Sequence, residues 1–474
     1  MTTLIAVLCA ALSGAAFYFS CGLGGSVSPA VGSLWAVALL APVPVLWLAF
    51  RTGKAWVVFL TAFGAMLIGM ANLLPAYGAV MPLAVLLFAI ATPALGFAGA
   101  VMAARFVAQR LTPISGVIAF AALWTGVDYL LSQGPNGAAS SPAYSQLELP
   151  WMIQGASVFG IWIITAVMGL FAAATAMYVV TKKSTFAIFA VAVVTLNLGY
   201  GAWRVTSAPQ SEVVQVGLAG DDGLIRAGLK DDAASALAVS KAYAAAGRGL
   251  AQQGATLIVF PEKIAVVRSA WASAVNGEFA NLASGHALVV AGVDARGPER
   301  KNDALVYFAN GAAPQAYSKR HLVPGLEKAF TPGTASFMLG DHTGIAICKD
   351  MDFPDMLRLD AMVGPNLYAV PAWDFGADAV WHARLAMMRG VENGFAVARA
   401  ANEGLLSVSD AYGRVLAVKK TAGGGMVTLR GAVARGPGRT LYADIGDGLA
   451  YLSLALSLLL LGVAAFAKTG TEAA

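Results

Sequence analysis

The chain has 474 residues, of which 58% are apolar and only 12% are charged, against roughly 25% charged residues in an ordinary soluble protein. Residues 1–203 contain two acidic and six basic residues, whereas all four histidines and most other charges follow residue 203. This asymmetry predicts a membrane part followed by a water-soluble part. The net charge of +5 forms no basic stripe, which argues against a nucleic-acid partner.

Apolar stretches long enough to cross ~30 Å of hydrocarbon occur throughout the first part and again near the end. We predict seven spans and then an eighth, at 4–22, 34–50, 55–75, 82–104, 115–131, 152–180, 185–203 and 447–467. The first span lacks the basic leader of a cleavable signal peptide, and more spans follow it. The predicted domains are therefore 1–203, a seven-helix membrane domain, 204–446, a soluble domain, and 447–474, a final helix with a tail.

Basic residues in the loops indicate how the chain is oriented. With a cytoplasmic N-terminus, the inner segments contain Arg51, Lys54, Arg105, Arg110, Lys182, Lys183 and Lys468. The outer loops 23–33, 76–81 and 132–151 contain no Lys or Arg. This positive-inside pattern predicts two cytoplasmic termini and an external soluble domain, which in a bacterium faces the periplasm.

Two polar features of the membrane part are open to more than one interpretation. The long outer loop 132–151 is rich in Gly, Ser and Pro, and it is either a plain connector or a segment that shapes a cleft. Asp128, near the outer end of its span, is either a functional contact or a satisfied interfacial residue.

The soluble part alternates strand-like apolar runs with helical patterns. Predicted strands lie at 213–220, 256–262, 287–294, 303–310, 344–348 and 367–373, followed by a strand and hairpin over 395–418. Predicted helices lie at 236–254, near 276–286, at 355–364 and at 379–394. The alternation predicts an α/β domain with a layered sheet core.

Three strand ends in this domain carry reactive side chains, namely Glu262, Lys319, which closes the short strand-like segment 315–318, and Cys348. Ligand sites in α/β sheets form at the carboxyl ends of strands, so one edge could bring them together. A thiol needs a base or a positive partner to become a nucleophile. Glu262 can accept its proton, and Lys319 and the backbone N–H of Lys349 can stabilise an oxyanion. Glu327 can keep the lysine charged.

Taken singly, each of these residue types more often has a surface or structural role than a catalytic one. A single Glu or Lys at a strand end is usually a solvated surface residue, and a lone cysteine after an apolar strand is usually a buried hydrophobe. His321, His342 and His382 lack zinc spacing, so no metal or cofactor is expected. Cys9 and Cys21 are expected to be small buried residues of the membrane part, and the three cysteines form no disulfide framework.

Several motifs together resemble the nitrilase superfamily and, within it, the bacterial apolipoprotein N-acyltransferases. They are Phe260-Pro261-Glu262, Lys319-Arg320-His321-Leu322-Val323-Pro324 with Glu327, Ile347-Cys348 with Phe353-Pro354-Asp355, Glu392-Asn393-Gly394, and Arg399-Ala400-Ala401-Asn402-Glu403-Gly404. The resemblance covers about 213–420, and the flanking spans fit the family's eight-helix plan.

The resemblance implies an αββα sandwich beside a multi-pass helical bundle in the bacterial inner membrane. It also implies an acyltransferase that moves an acyl chain from a membrane phospholipid, through a thioester on Cys348, to the amine of diacylglyceryl-cysteine in a lipoprotein. Glu262, Lys319, Cys348 and Glu327 match the family's catalytic positions.

Three features depart from the family's pattern and bear on the acceptor. Lys349-Asp350 replaces an aromatic residue and Glu, Pro371-Ala372-Trp373-Asp374-Phe375 is closer to soluble amidohydrolases, and the segment between Glu327 and Cys348 is short. A membrane-tethered amidase, or an acyltransferase with another acceptor, is therefore the main alternative. A scaffold with a dead nitrilase domain is disfavoured because all four reactive residues are present.

Overall fold

The computed structural model describes residues 2–21, 34–51, 54–285 and 287–467. The chain divides into two compact units. One contains Met1–Ser207 and Ile445–Ala474, and the other contains Ala208–Asp444. Lys468 and the predicted outer loop 23–33 lie outside the described residues.

The first unit is a helical bundle. Its helices before the second unit are α1 Thr2–Ser20, α2 Trp35–Leu40, α3 Val43–Arg51, α4 Ala55–Met70, α5 Leu73–Tyr77, α6 Leu83–Arg110, α7 Pro113–Ser132, α8 Pro150–Ile153, α9 Ala156–Phe159, α10 Trp162–Thr181 and α11 Ser184–Thr206. The last helix of the chain, Gly448–Phe466, belongs to the same unit. Among the described residues, seven helices are long and apolar enough to cross a membrane.

Two predicted spans differ from the structure. The segment 34–50 forms a shorter apolar helix, Trp35–Arg51, which is broken between α2 and α3 at Ala41-Pro42 because proline has no N–H to continue the helix. The segment 152–180 is helical as a long span only from Trp162. Before it, Gly160 adopts a positive φ of 67° and ends α9, a conformation that glycine tolerates.

Asp128 on α7 is a satisfied polar group. Its Oδ2 accepts hydrogen bonds from Ser141 Oγ at 2.7 Å and from Thr165 Oγ1 at 2.6 Å. Ser141 begins a short 3-10 helix at Pro142–Gln146, in the middle of the outer loop. The aspartate therefore attaches this loop to α7 and α10, which favours the interfacial interpretation.

The second unit contains two β-sheets. Its strands are β1 Val213–Gly220, β2 Leu257–Val259, β3 Ala265–Arg268, β4 Leu288–Arg296, β5 Arg300–Tyr307, β6 Gln315–Ser318, β7 Thr343–Ile345, β8 Leu367–Trp373, β9 Ala396–Asn402, β10 Leu405–Ser409, β11 Val415–Lys420 and β12 Val427–Ala434. In the described residues, one sheet has the order β12-β1-β2-β4-β5-β6 with β3 also paired to β4, and the other has the order β11-β10-β9-β8-β7.

The helices of this unit are α12 Ile225–Gly228, α13 Ala233–Gln252, α14 Ser269–Ala283, α15 Pro354–Ala361, α16 Ala379–Asn393 and α17 Leu441–Ile445. Of these, α13 and α14 pack on one sheet, and α15 and α16 pack on the other. One buried apolar cluster joins β1, β2, β4 and β5 to β7–β10 between the sheets. A second lies under α13 and α14, and a third lies under α15 and α16. The unit is therefore an αββα sandwich, as the resemblance implies.

Two strands, the short helices α12 and α17, and the start of α14 were not predicted from the sequence. β3 is only four residues long and follows directly on the turn after Glu262. β12 pairs antiparallel with β1 along eight residues from Val213–Ala434 to Gly220–Val427. Helix α14 begins at Ser269, several residues before the predicted position, because its first turn follows β3 without a loop.

Candidate active site

Loops that follow the strands bring the predicted residues into one buried site. Glu262 follows β2, and its backbone N–H donates to the carbonyl of Ala372 at 3.2 Å, which ties it to β8 of the opposite sheet. Lys319 follows β6, and its N–H donates to the carbonyl of Asn302 at 2.9 Å. Cys348 follows β7, which pairs in parallel with β8. The two facing sheets thus both contribute to the site.

Four charged side chains form a closed ring of alternating sign. Lys319 Nζ lies 2.9 Å from Glu262 Oε1 and 2.9 Å from Glu327 Oε2. Lys263 Nζ lies 2.6 Å from Glu327 Oε1 and 3.3 Å from Glu262 Oε1. Glu262 and Lys319 are each 1% exposed, and Glu327 is 3% exposed. Charges this deeply buried are tolerated only when they are paired and hydrogen-bonded.

Asn302 on β5 links the two carboxylates of the ring. Its Nδ2 donates to Glu262 Oε1 at 2.5 Å and to Glu327 Oε1 at 2.9 Å. Every described contact of the Glu262 carboxylate is therefore made by Oε1. Oε2 receives no hydrogen bond from the residues that the structure describes, so this oxygen is the one that can accept a proton.

The charges of the ring decide the protonation state of Glu262. Burial raises the pKa of its carboxyl group, but the charges of Lys263 and Lys319 and the hydrogen bonds from Asn302 and Lys319 outweigh burial. The pKa is lowered to about 2. For Lys319, burial lowers the pKa, but Glu262, Cys348 and Glu327 outweigh it and raise the pKa above its usual value. Both groups are therefore charged at neutral pH.

Cys348 lies on a strained turn beside the ring. Its φ is +44°, in the left-handed region that non-glycine residues adopt at a cost, often at active sites. Its Sγ is 3.4 Å from the carbonyl oxygen of Trp373, and the residue is 8% exposed. Burial and the charge of Glu262 raise the pKa of the thiol, while Lys319 lowers it. The resting group is thus a neutral thiol within reach of both charges.

Asp350 joins the turn at Cys348 to the segment around Lys319. One carboxylate oxygen accepts from the N–H groups of Arg320 and His321 at 3.1 and 2.8 Å. The other accepts from the N–H of Ile347 at 3.0 Å and from the hydroxyl of Tyr317 at 2.7 Å. One departure from the family's pattern thus has a structural consequence, because Asp350 fixes the chain beside Lys319 relative to Cys348.

Lys349, whose backbone N–H is a predicted oxyanion donor, is buried next to the thiol. Its Nζ is 3.2 Å from Asp352 Oδ2, and it also lies 5.7 Å from the ring of Phe353. The side chain is therefore engaged away from any reacting carbonyl, and the backbone N–H remains the predicted donor.

A buried ion pair lies close enough to Cys348 to act on it electrostatically. Arg399 at β9 donates to the two carboxylate oxygens of Asp374 at 2.9 and 2.5 Å. The electrostatic influence of both residues reaches Cys348. Neither was among the predicted site residues, although Arg399 lies in a motif on which the resemblance rests and Asp374 lies in a segment that departs from the family's pattern. Lys263 and Asn302 were also missed, because a lysine and an asparagine at these positions look like solvated loop and strand residues.

Within the described residues, no group of three or more His, Cys, Asp and Glu side chains could hold a metal ion. His321 stacks on Phe353 with ring centroids 3.6 Å apart, and His382 lies between two aspartates, 3.1 Å from Asp378 and 3.6 Å from Asp352. The groups that the structure brings together around Cys348 are two carboxylates and two ammonium groups.

Two known families match successive parts of the chain. Residues 21–174 match the apolipoprotein N-acyltransferase N-terminal domain, and residues 229–421 match the carbon-nitrogen hydrolases. A Pseudomonas paraeruginosa protein named apolipoprotein N-acyltransferase is 27% identical over 464 residues, covering 86% of this chain and 87% of its own. Over most of its length the chain is thus similar to proteins named apolipoprotein N-acyltransferase. This similarity and the carbon-nitrogen hydrolase match make it an acyltransferase enzyme on the carbon-nitrogen hydrolase fold.

A second relative matches a similar share of this acyltransferase. The Pseudomonas aeruginosa apolipoprotein N-acyltransferase of strain LESB58 is 28% identical over 438 residues, with 81% of this chain and 83% of its own length covered. Among solved structures, an amidase from Nesterenkonia is 21% identical, and the match covers 52% of this chain and 98% of the amidase with a TM-score of 0.39.

Proposed function

We propose that this acyltransferase moves an acyl chain from a membrane phospholipid, through a thioester on Cys348, to the N-terminal amine of a diacylglyceryl-cysteine lipoprotein. The observation that carries the proposal is the buried thiol of Cys348 beside the Glu262–Lys319–Glu327 cluster, in a chain that also has apolar helices long enough to cross a membrane. The names of the relatives support the lipoprotein as acceptor.

The first half of the reaction would form the thioester. Glu262 Oε2 takes the thiol proton while Cys348 Sγ attacks the carbonyl carbon of the phospholipid ester. The ammonium of Lys319 and the N–H of Lys349 stabilise the negative oxygen of the tetrahedral intermediate. The C–O bond of the ester then breaks, Glu262 returns the proton to the departing oxygen, and a lysophospholipid leaves.

The second half would transfer the acyl chain to the acceptor. The neutral amine of the lipoprotein attacks the thioester carbon and gives its surplus proton to Glu262. The C–S bond breaks, an amide forms, and the proton passes to Sγ so that the thiol is restored. Lys319 stays protonated throughout because Glu262 and Glu327 both contact its Nζ. The two halves predict ping-pong kinetics.

A transfer assay tests the proposal. The purified enzyme is incubated with phospholipid labelled in its acyl chain and with a synthetic diacylated lipopeptide, and labelled triacylated product is measured. Cys348→Ala is expected to abolish transfer, whereas Cys21→Ser, which removes a thiol of the membrane unit, is expected to retain it. Label passed to water or small amines but never to the lipopeptide would instead support the amidase alternative.

We also infer that residues 204–446 face the outside of the inner membrane and that both termini are cytoplasmic. This inference is supported by the basic residues of the predicted inner loops and by the lack of Lys and Arg in the predicted outer loops.

A further inference from the structure

Lys263 distinguishes the charged ring of this enzyme from the Glu–Lys–Glu set that the motifs predict. Its φ is +54°, so the backbone after Glu262 turns sharply. The ammonium group contacts both carboxylates of the ring, with Nζ 2.6 Å from Glu327 and 3.3 Å from Glu262. A lysine at a strand end would otherwise extend into solvent, so this placement is a specific feature of the fold.

Aromatic rings hold the Lys263 ammonium in place. Nζ lies 5.5 Å from the ring centroid of Phe330 and 5.4 Å from that of Trp373, both within the range of a cation–π contact. Its side chain is 14% exposed, whereas the other three members of the ring are 1–3% exposed. Lys263 is therefore the member of the ring that lies nearest to solvent.

The net charge of the ring depends on Lys263. With both lysines, the two carboxylates of the ring are balanced and the cluster is neutral. Without Lys263, two buried carboxylates would share Lys319 alone, and the cluster would carry one net negative charge. Two carboxylates that share one cation in a buried site favour retention of a proton by one of them. The carboxylate that must remain free of a proton for catalysis is Glu262.

We propose that Lys263 is a positioning residue that keeps the general base Glu262 ionised in acid, so that Cys348 remains reactive well below neutral pH. This inference rests on the proposed function only in taking Cys348 as the nucleophile and Glu262 as its base. Lys263 acts through Glu262 and takes no proton from the substrate.

The other charged groups around Glu262 do not duplicate this role. Lys319, after β6, is shared between Glu262 and Glu327. Glu327 adds a negative charge that favours protonation of its neighbour. Cys348, after β7, is uncharged at rest because burial raises the pKa of its thiol. Asp374 and Arg399, which both act on Cys348, neutralise each other. Arg300, which acts on Glu327, is paired with Asp294 at 2.6 Å. Lys263 is thus the balancing charge for Glu327.

The test measures how fast iodoacetamide alkylates Cys348 as a function of pH. Alkylation at Cys348 is quantified by mass spectrometry of its peptide, since Cys9 and Cys21 are also thiols, and each rate is divided by the plateau rate of the same variant. An opposite charge this close typically lowers a carboxyl pKa by about 1–3 units. Lys263→Met is therefore expected to shift the acid limb upward by about one pH unit or more, which lowers relative reactivity roughly tenfold at pH values below both midpoints.

Control variants distinguish the effect of the Lys263 charge from the effect of its side-chain shape. Lys263→Arg keeps the charge and is expected to retain the wild-type acid limb. Lys241→Met removes an exposed lysine of α13 and is expected to leave the profile unchanged. Lys263→Gln provides a second neutral side chain in case Lys263→Met does not fold, and thermal unfolding checks each variant.

Two results would overturn the inference. One is an acid limb in the neutral variants that coincides with that of the wild type. The other is a Lys263→Arg profile that shifts as far as that of Lys263→Met, since shape rather than charge would then matter. The assay needs neither phospholipid nor lipoprotein, so a failed transfer to the lipopeptide would contradict the proposed function without affecting this result.

Discussion

The pKa values of Glu262 and Cys348 are shifted in opposite directions, and this difference bears on how the thiol is activated. The lysines lower the pKa of Glu262 to about 2 after outweighing the effect of burial, whereas burial raises the pKa of the Cys348 thiol. Transfer of the proton in the resting enzyme is therefore unfavourable. It becomes favourable only when the negative charge moves on to a carbonyl oxygen that Lys319 can stabilise.

The side chains that support the reactive groups are as buried as the reactive groups themselves. Asp350 is fully buried, and Asp374 and Arg399 are 0% and 1% exposed. Removing one member of a buried pair leaves an uncompensated charge, which typically costs about 3–5 kcal/mol. The geometry of the thiol and the stability of the second unit therefore depend on the same residues.

At the scale of elements, Gly292 on β4 allows the loop of Glu262 to approach the sheet. A Cβ at this position would lie 2.5 Å from the Cα of Glu262 and 2.5 Å from the carbonyl oxygen of Pro261. Both are backbone atoms, so they cannot move aside as a flexible side chain would. The glycine therefore determines where Glu262, the proposed general base, lies.

Gly292→Ala is expected to displace Glu262 and to lower acyl transfer by about 100-fold, since a shift of about 1 Å at a reacting group has effects of that order. Acyl transfer to the lipopeptide measures the effect. Gly277→Ala is the matched control, because a Cβ there meets nothing within 4 Å and alanine favours the helix interior by up to about 1 kcal/mol over glycine. Wild-type transfer in Gly292→Ala would contradict this account.

The sequence predicted the elements that have strong patterns and missed those that depend on tertiary contacts. β1 was predicted with its observed bounds at Val213–Gly220, because an apolar run of that length fits a buried strand. β12 was missed because most of its residues are partly or fully exposed. The strand is stabilised by pairing with β1. The order of strands within each sheet likewise depends on contacts between distant segments.

The candidate site was likewise predicted only in part from the sequence. Glu262, Lys319, Glu327 and Cys348 were predicted from motifs, and the structure brings the first three into direct contact. Lys263 could not be assigned to the site from sequence, because only the positive φ of +54° turns its side chain toward Glu327. The bidentate contact of Arg399 with Asp374 joins residues 25 positions apart, a pairing that spacing alone does not indicate.

At the scale of the whole molecule, the chain joins a bundle with membrane-length helices to the αββα unit, which we propose to be catalytic. Both ends of the catalytic unit connect to such helices, α11 before it and Gly448–Phe466 after it. An enzyme with this connectivity stays at the membrane, where a phospholipid donor and a lipid-anchored acceptor are both present at high local concentration. The connectivity therefore agrees with two lipid substrates.

Labelling of single introduced cysteines tests the proposed orientation. Asn310→Cys lies at an exposed position of the catalytic unit, and Lys183→Cys lies in a predicted inner loop, also exposed. In spheroplasts, a membrane-impermeant maleimide is expected to label Asn310→Cys at once and Lys183→Cys only after permeabilisation. The reverse order of labelling would place the catalytic unit in the cytoplasm.

The central claim is that Cys348 carries the acyl chain between donor and acceptor, and the mass of its peptide tests this most directly. The enzyme is incubated with phospholipid and no acceptor, quenched in acid, digested and analysed by mass spectrometry. The account predicts that the Cys348 peptide gains the mass of one acyl chain and loses it again when diacylated lipopeptide is added. Lysophospholipid release without an acyl group on Cys348, or an acyl group on another residue, would contradict it.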